Sequence, residues 1–139
     1  MTDLVVDASV AIKWVIEEAE TEAALRLRRH RLFAPDLLIA ECANILWKKV
    51  QRAELTEQEA RLAAHLLERA DIELEPMRPL MESVTKLAID MNHPAYDCIY
   101  LALAEGLSCD LVTADERFAR KLLPIGSRSK VLALSTFGS

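Results

Sequence analysis

Short apolar runs alternate along the chain with longer segments in which apolar residues recur every three or four positions. The short runs have the length of buried strands, and the longer segments have the period of amphipathic helices. The pattern predicts strands at 4–6, 33–34, 72–75, 111–113 and 131–134. It predicts helices at 9–16, 20–30, 37–52, 79–91, 94–105 and 115–123, and a further one after Thr56.

Polar residues and a glycine mark several of the expected helix ends. Ser9 and Asp36 are expected N-caps, because short polar side chains accept hydrogen bonds from the free N–H groups of a first turn. Thr56 and Glu59 have the spacing of a capping box. Gly106 is expected to end the sixth helix, since glycine readily adopts the left-handed conformation that follows many helices.

Strands that alternate with helices predict an α/β fold, a doubly wound parallel sheet flanked by helices. In such sheets ligands collect outside the carboxyl ends of the strands, where the strand order reverses. The residues that directly follow each strand are therefore the first candidates for a functional site.

Length and composition agree with one compact unit. The chain has 139 residues, of which 52% are hydrophobic, and we expect a single domain over 1–139. The longest strongly apolar stretch, 98–104, is far shorter than a membrane span. The N-terminus has no basic segment of a secretory signal. The three cysteines lack CxxC spacing and are expected to be reduced thiols of a cytoplasmic protein.

The overall charge limits how the chain could bind a nucleic acid. It carries 17 Lys and Arg against 22 Asp and Glu, a net charge of −5. A chain with this balance does not attract nucleic acid by its overall charge. An anionic substrate would therefore need local basic patches or bound cations.

Two acidic residues follow predicted strands. Asp7 comes directly after the strand 4–6, and Asp115 follows the strand 111–113 with one residue between. Both are therefore expected at the carboxyl ends of buried strands. Each also precedes a helix, so N-capping explains either residue equally well when it is taken alone.

Two further acids lie on helices beside apolar residues. Glu41 shares a helix face with Leu37, Leu38 and Ile45, and an unpaired acid rarely borders a core. A basic partner elsewhere, or a place at the rim of the apolar stripe, is the alternative. Asp97 begins a helix whose next seven residues carry no charge, and the alternative there is a favourable interaction with the helix dipole.

Taken together, the four acids indicate a bound cation. Two carboxylates about 4 Å apart repel by roughly 4 kcal/mol at an effective dielectric constant of about 20. Acids that converge must therefore be protonated or bridged by a cation, and oxygen ligands favour Mg²⁺ or Mn²⁺ over zinc. His30, His65 and His93 lack ligand spacing and are expected to be surface or capping residues.

The segments that contain these acids resemble a known family. They are VVDASVAIKW with Asp7, PDLLIAECANILWK with Glu41, YDCIYLALAE with Asp97 and LVTADERF with Asp115. In this order and spacing they resemble the PIN-domain nucleases and, within them, the VapC-type toxins of type II toxin–antitoxin systems. The resemblance covers essentially the whole chain and implies the strand order 3-2-1-4-5.

The resemblance also implies a function and partners. The four acids would be the catalytic residues and the ligands of Mg²⁺ or Mn²⁺ in the hydrolysis of RNA phosphodiester bonds. Ser9 and Thr113 would hold a metal-bound water or orient the acids, although capping and β-propensity explain them equally well. A homodimer and a cognate VapB-type antitoxin are implied as well. The alternative function is a catalytically silent PIN-like module that binds RNA or protein.

Basic side chains near the expected site are candidates for contacts with RNA. Lys13 lies one turn after Ser9, and three basic residues follow in the helix after the fourth strand, namely Arg117, Arg120 and Lys121. An ordinary solvated side chain, or a lysine that extends along the surface, explains these positions equally well.

Overall fold

A five-stranded parallel sheet forms the centre of the computed structural model, which describes residues 2–122 and 129–137. The strand order is β3-β2-β1-β4-β5, and every neighbouring pair is parallel. The predicted fold class and strand order are confirmed. The strands are β1 (Asp3–Val6), β2 (Arg31–Pro35), β3 (Glu73–Glu75), β4 (Asp110–Thr113) and β5 (Val131–Ala133).

Helices connect the strands and cover the sheet. They are α1 (Ala8–Ala11), α2 (Thr21–Leu27), α3 (Leu37–Gln51), α4 (Glu57–Glu68), α5 (Met81–Met91), α6 (Ala95–Leu107) and α7 (Glu116–Leu122). Turns of 3₁₀ helix lie at Ile12–Trp14, Arg78–Leu80 and Leu134–Phe137. None of the helices in the described part of the chain combines the length and the apolar character needed to cross a bilayer.

Alternate residues of β1 face opposite sides of the sheet, as the two-residue period of a strand requires. Val5 is buried in a cluster that includes Leu101 of α6. Leu4 and Val6 belong to a second cluster that includes Leu27 of α2. Because helices cover both faces, the strand has a continuous apolar run rather than an alternating one.

Helix α4 packs on α3 and holds it in place. Ile12, Leu46, Ala60 and Ala63 form a third apolar cluster between the 3₁₀ turn after α1, α3 and α4. The capping box predicted at the start of α4 is confirmed, because the side chains and amides of Thr56 and Glu59 bond reciprocally. This packing fixes the orientation of α3, which carries Glu41.

The N-cap expected at Ser9 is wrong. β1 ends at Val6, so Asp7 takes the extended conformation of a cap, and its side chain accepts a hydrogen bond of 3.3 Å from the amide of Val10. Ser9 lies within α1, which ends at Ala11 before the 3₁₀ turn. The observed helix is therefore much shorter than the predicted helix 9–16. Asp36 occupies a cap position, but its side chain makes no cap hydrogen bond.

Gly106 does not end the sixth helix, contrary to expectation. α6 continues to Leu107, and Ser108 takes the left-handed conformation with φ of 55°. The amide of Ser108 bonds back to the carbonyl of Glu105 at 3.2 Å. Gly106 is therefore a helical residue, and a Cβ built on it would meet nothing within 4 Å.

Other predicted bounds are correct to within a few residues. The predicted helix 20–30 is shorter in the structure, where α2 spans Thr21–Leu27. The predicted strand 131–134 loses its last residue to a 3₁₀ turn. The predicted end of the last helix at residue 123 lies outside the described residues.

The end of α6 yields a stability prediction. Gly106→Ala should stabilise the protein by up to about 1 kcal/mol, because alanine has the higher helix propensity and its methyl group meets no neighbour. Ser108→Gly should also stabilise it, by relieving the cost of the left-handed conformation. Urea unfolding of both variants measures the change. Destabilisation by Gly106→Ala would contradict the helical assignment of this residue.

Candidate functional site

Asp7 lies where β1 ends and α1 begins, with only 8% of its surface exposed. Its Oδ1 accepts hydrogen bonds from the Ser9 hydroxyl at 2.5 Å and from the Val10 amide. Its Oδ2 accepts a hydrogen bond of 2.5 Å from the Thr113 hydroxyl at the end of β4. Both carboxylate oxygens are therefore held in place, one by the local chain and one by the neighbouring strand.

Burial dominates the electrostatics of Asp7. It raises the pKa of this carboxyl group from 3.8 to about 6, because the charged form loses its hydration. The hydrogen bonds from Ser9, Thr113 and Val10 lower the pKa in part, and the negative charge of Asp97 raises it further. A positive charge near Asp7 would therefore stabilise the ionised form.

Ser9 and Thr113 connect the ends of β1 and β4. While each hydroxyl donates to Asp7, the Ser9 oxygen accepts from the amide of Ala114 at 2.9 Å. The Thr113 oxygen accepts from the amide of Asp115 at 3.1 Å. The two hydroxyls thus orient Asp7 and also shape the turn that leads to Asp115.

Asp115 caps α7. Its Oδ1 accepts hydrogen bonds from the amides of Arg117 at 3.0 Å and Phe118 at 3.2 Å. The side chain of Glu116, the next residue, accepts a bond from the Ser135 hydroxyl at 3.2 Å. Capping and a place in the functional site are therefore not exclusive, because Asp7 and Asp115 both cap helices at the carboxyl ends of adjacent strands.

Glu41 is half-buried on α3, where the Tyr100 hydroxyl of α6 donates a short hydrogen bond to its Oε1. Burial raises the pKa of Glu41, the bond from Tyr100 lowers it in part, and the charge of Asp97 raises it again. Burial raises the pKa of the Tyr100 phenol most, and the hydrogen bond to Glu41 and the charge of that carboxylate raise it further, so the phenol remains the hydrogen donor. The sequence placed Tyr100 beside Asp97 on one helix but did not reveal its contact with Glu41.

Asp97 lies in the first turn of α6, and its Oδ2 is 2.7 Å from Nε2 of His93. The His93 side chain is only 13% exposed, so the expectation of a surface or capping residue is wrong for it. The sequence signal that could have indicated this contact is the spacing of four positions between His93 and Asp97, because side chains four apart on a helix are neighbours. Pro94 separates His93 from the helix, and for that reason helical proximity could not be assumed from the sequence.

The four acids line one open cavity of about 460 Å³. It opens at the carboxyl ends of β1 and β4, the place expected for a ligand in a doubly wound sheet. The other residues that line it are Ala8, Ser9, Leu37, Ala40, Asn44, Ile45, Tyr96, Tyr100 and Phe118. The structure thus brings together Asp7, Glu41, Asp97 and Asp115 from four separate segments.

The donor atoms of this cavity fit a hard divalent cation. Carboxylates and hydroxyls are oxygen ligands of the kind that Mg²⁺ and Mn²⁺ prefer. The charge of Asp97 raises the pKa values of Asp7 and Glu41, so the acids are close enough to repel one another. Within residues 2–122 and 129–137, no three His, Cys, Asp or Glu side chains form a ready-made ligand cluster. Asp7, Glu41, Asp97 and Asp115 are the side chains of the cavity that would hold such an ion.

The basic residues are distributed differently from the expectation. Lys13 is buried, pairs with Glu18 at 3.1 Å and is not among the residues that line the cavity. Lys121 donates to the carbonyl of Asn92 at 3.3 Å. Arg117 and Arg120 are exposed on α7, next to Asp115.

Comparison with known proteins gives the family. A family model described as "PIN domain" matches residues 4–121. The VapC ribonuclease Mb0985 of Mycobacterium bovis is 34% identical over 116 residues, which are 84% of this chain and 88% of that protein. Ribonuclease VapC3 of Pyrobaculum aerophilum is 32% identical over 125 residues, covering 85% of this chain and 93% of that protein.

Solved structures share the fold. The crystal structure of PAE2754 from Pyrobaculum aerophilum aligns with a TM-score of 0.72 and 24% identity. The alignment covers 97% of this chain and 85% of the PAE2754 chain. Mycobacterium tuberculosis VapC20, described as a Sarcin-Ricin loop cleaving toxin, matches 80% of this chain and 87% of its own, with a TM-score of 0.60 and 14% identity. With its acidic cavity, its sheet order and these relatives, the chain belongs to the PIN domain family and, within it, to the VapC-type ribonucleases.

Proposed function

We propose that this protein is the ribonuclease toxin of a toxin–antitoxin pair and hydrolyses RNA phosphodiester bonds with Mg²⁺ or Mn²⁺ held by its four acids. The observation that carries the proposal is the meeting of Asp7, Glu41, Asp97 and Asp115 in one open cavity. The names of its relatives, which are VapC ribonucleases, support RNA as the substrate.

Each acid is oriented by a different neighbour. The Ser9 and Thr113 hydroxyls hold Asp7, the Tyr100 hydroxyl holds Glu41, and the imidazole of His93 holds Asp97. The first-turn amides of α7 hold Asp115. These bonds would keep the ligands near a productive geometry before the cation and the RNA arrive, which limits the reorganisation needed during the reaction.

The acids and the cation divide the chemistry. When bound, a divalent cation would lower the pKa of a water molecule and neutralise the charge that develops on the phosphate. The acids of the chain would hold that ion and accept hydrogen bonds from the attacking water. Without a cation the same acids would repel RNA, which agrees with the net charge of −5.

Residues at the rim of the cavity would contact the RNA. Tyr96 is 64% exposed and lines the cavity beside Asp97, where its ring could stack on an unpaired base. Asn44 offers an amide to a base or sugar from the opposite helix. Arg117 and Arg120 on α7 are placed for phosphate contacts.

The proposed partners follow from the family and from the surface. An apolar groove between α3, α4 and β3 is lined in part by the exposed side chains of Ile39 and Leu74, which supports a VapB-type antitoxin as its partner. We further propose a homodimer and a single catalytic domain that acts on cellular RNA in the cytoplasm.

Neutralising an acid of the cavity tests the catalytic assignment. Asp7→Asn and Asp97→Asn should each lower Mn²⁺-dependent RNA cleavage by at least about a hundredfold, because each removes a charged ligand. Asp90→Asn is the matched control, since Asp90 is an acid exposed on α5 and paired with Lys86. Cleavage of labelled RNA by purified protein, with circular dichroism to verify folding, provides the measurement.

The same assay separates the two candidate functions. Undiminished cleavage by both cavity variants would reject the four-acid site. If the unmodified protein binds RNA and leaves it intact at every Mn²⁺ concentration, the silent binding module is the correct function.

The raised pKa of Asp7 predicts an unusual dependence of stability on pH. Its folded pKa of about 6 lies above the ordinary value of 3.8, so between these values the folded state binds more protons than the unfolded state. The contribution of Asp7 to the free energy of unfolding therefore falls as the pH rises through this window, by about 3 kcal/mol in total. The loss is nearly complete about one pH unit above the folded pKa in metal-free protein.

Urea unfolding in EDTA from about pH 4 to about pH 7 tests this dependence. Asp7→Asn should remove the part of the fall that Asp7 causes and leave the part that the raised pKa of Glu41 causes, and Asp90→Asn should retain both parts. Adding Mg²⁺ near pH 7 should restore stability to the unmodified protein and have little effect on Asp7→Asn. If the free energy of unfolding changes with pH by the same amount in the unmodified protein and in Asp7→Asn, the pKa of Asp7 is not raised by folding and the prediction is wrong.

Expression in bacteria tests the toxin assignment. The unmodified chain should arrest growth, and co-expression of the small gene adjacent to its own should relieve the arrest. Mapping of RNA ends during the arrest identifies the cleaved target, with Asp7→Asn as the inactive control. Harmless expression with unchanged RNA would argue against a toxin.

A further inference from the structure

We infer that His93 is a positioning residue that fixes Asp97 and Asp115 in one relative arrangement. The inference rests on the proposed function, because it assigns to His93 the task of holding two ligands of the proposed cation. Hydroxyl groups hold Asp7 and Glu41, and the imidazole of His93 supplies the corresponding contact to Asp97.

The backbone around His93 is held by helix ends on both sides. Asn92 ends α5 in the left-handed conformation, with φ of 48°. The amide of His93 bonds back to the carbonyl of Ala88 at 3.1 Å. Pro94 then begins α6 as its N-cap. The imidazole therefore projects from a short, well-bonded connection rather than from a free loop.

One edge of the imidazole contacts Asp97. The distance from Nε2 to Oδ2 is 2.7 Å, typical of a hydrogen bond to a charged group. An ionised carboxylate has no proton to donate, so Nε2 of His93 carries the hydrogen of this bond. The Asp97 side chain is 42% exposed, and without this bond it would be free to adopt other rotamers.

One face of the imidazole contacts α7. It stacks on the Phe118 ring with a centroid distance of 5.4 Å and an angle of 19° between the planes. The amide of Phe118 donates to Oδ1 of Asp115. The bond from Lys121 to the carbonyl of Asn92 joins the same connection to α7 a second time. His93 thus lies between the acid of α6 and the turn that holds the acid before α7.

Stability alone does not account for a histidine at this position. Its Nδ1 is buried and has no hydrogen-bond partner among the described residues. An unpartnered buried nitrogen costs free energy that an apolar side chain of similar size would not. What the imidazole adds, compared with an apolar ring, is the hydrogen bond to Asp97.

Two substitutions separate the hydrogen bond from the stacking. His93→Phe retains a ring against Phe118 and loses the donor to Asp97. His93→Gln retains an amide donor near the position of Nε2 and loses the ring. His65→Phe is the matched control, because His65 is a surface histidine on α4 that is paired with Glu68 and does not line the cavity.

Mn²⁺ binding to EDTA-stripped protein is measured by isothermal titration calorimetry, together with urea unfolding of the metal-free variants. Loss of a side chain that holds a metal ligand commonly weakens metal affinity by about 10- to 100-fold. We expect a loss of that size for His93→Phe, a clearly smaller loss for His93→Gln, and none for His65→Phe. The metal-free stability of His93→Phe should equal or exceed that of the unmodified protein.

Several outcomes would overturn the inference. Mn²⁺ affinity of His93→Phe within about twofold of the unmodified protein would show that the bond to Asp97 does not support the site. Equal losses in His93→Phe and His93→Gln would show that the donor is not what matters. If the unmodified protein binds no Mn²⁺, the cation site of the proposed function fails as well. If Asp97→Asn weakens Mn²⁺ binding and His93→Phe does not, the proposed cation site stands and only the positioning role of His93 is rejected.

Discussion

A carboxylate buried at the end of a central strand is costly unless the protein holds both of its oxygens and a positive charge balances it. Asp7 meets the first condition through the hydroxyls of Ser9 and Thr113. The hydrogen bond from Thr113 also links the end of β4 to that of β1, so the acid and the strand pairing depend on each other. The side chains that bond to Asp7 carry no positive charge, so they do not meet the second condition, and burial raises the pKa of Asp7.

The remaining acids extend this arrangement to neighbouring helices. Glu41 and Asp97 project from α3 and α6, which pack on the same face of the sheet. Asp115 follows β4, the neighbour of β1. Each acid is tied to a different element of the fold, so the cavity keeps its shape only while the sheet and both helices are packed. The relative positions of the four acids therefore depend on the folding of the whole sheet and its helices.

Helix capping and the proposed cation site use the same residues. Asp7 caps α1, and Asp115 caps α7. In a doubly wound sheet the first turn of a helix follows the carboxyl end of a strand, so an acid placed there meets both the free amides and the ligand cavity. A cap role is thus no argument against a functional role in this fold class.

The sequence by itself determined the alternation of strands and helices, the four acids, and through its resemblance to the PIN-domain nucleases the strand order. These features are local: a strand or helix reveals itself by its own period, and an acid after an apolar run marks a strand end. Local signals were less reliable at helix ends. Ser9 and Gly106 are residue types that often cap helices, but Asp7 is the N-cap of α1 and Ser108 is the C-cap of α6.

Only the tertiary structure decided which side chains meet. Tyr100 bonds to Glu41 across 59 positions of sequence, and Thr113 bonds to Asp7 across 106. Lys13 turns to Glu18 instead of the cavity, and His93 turns inward to Asp97 and Phe118. Hydrogen-bond partners depend on how helices pack and on which rotamers that packing allows, and no periodicity in the sequence encodes these choices.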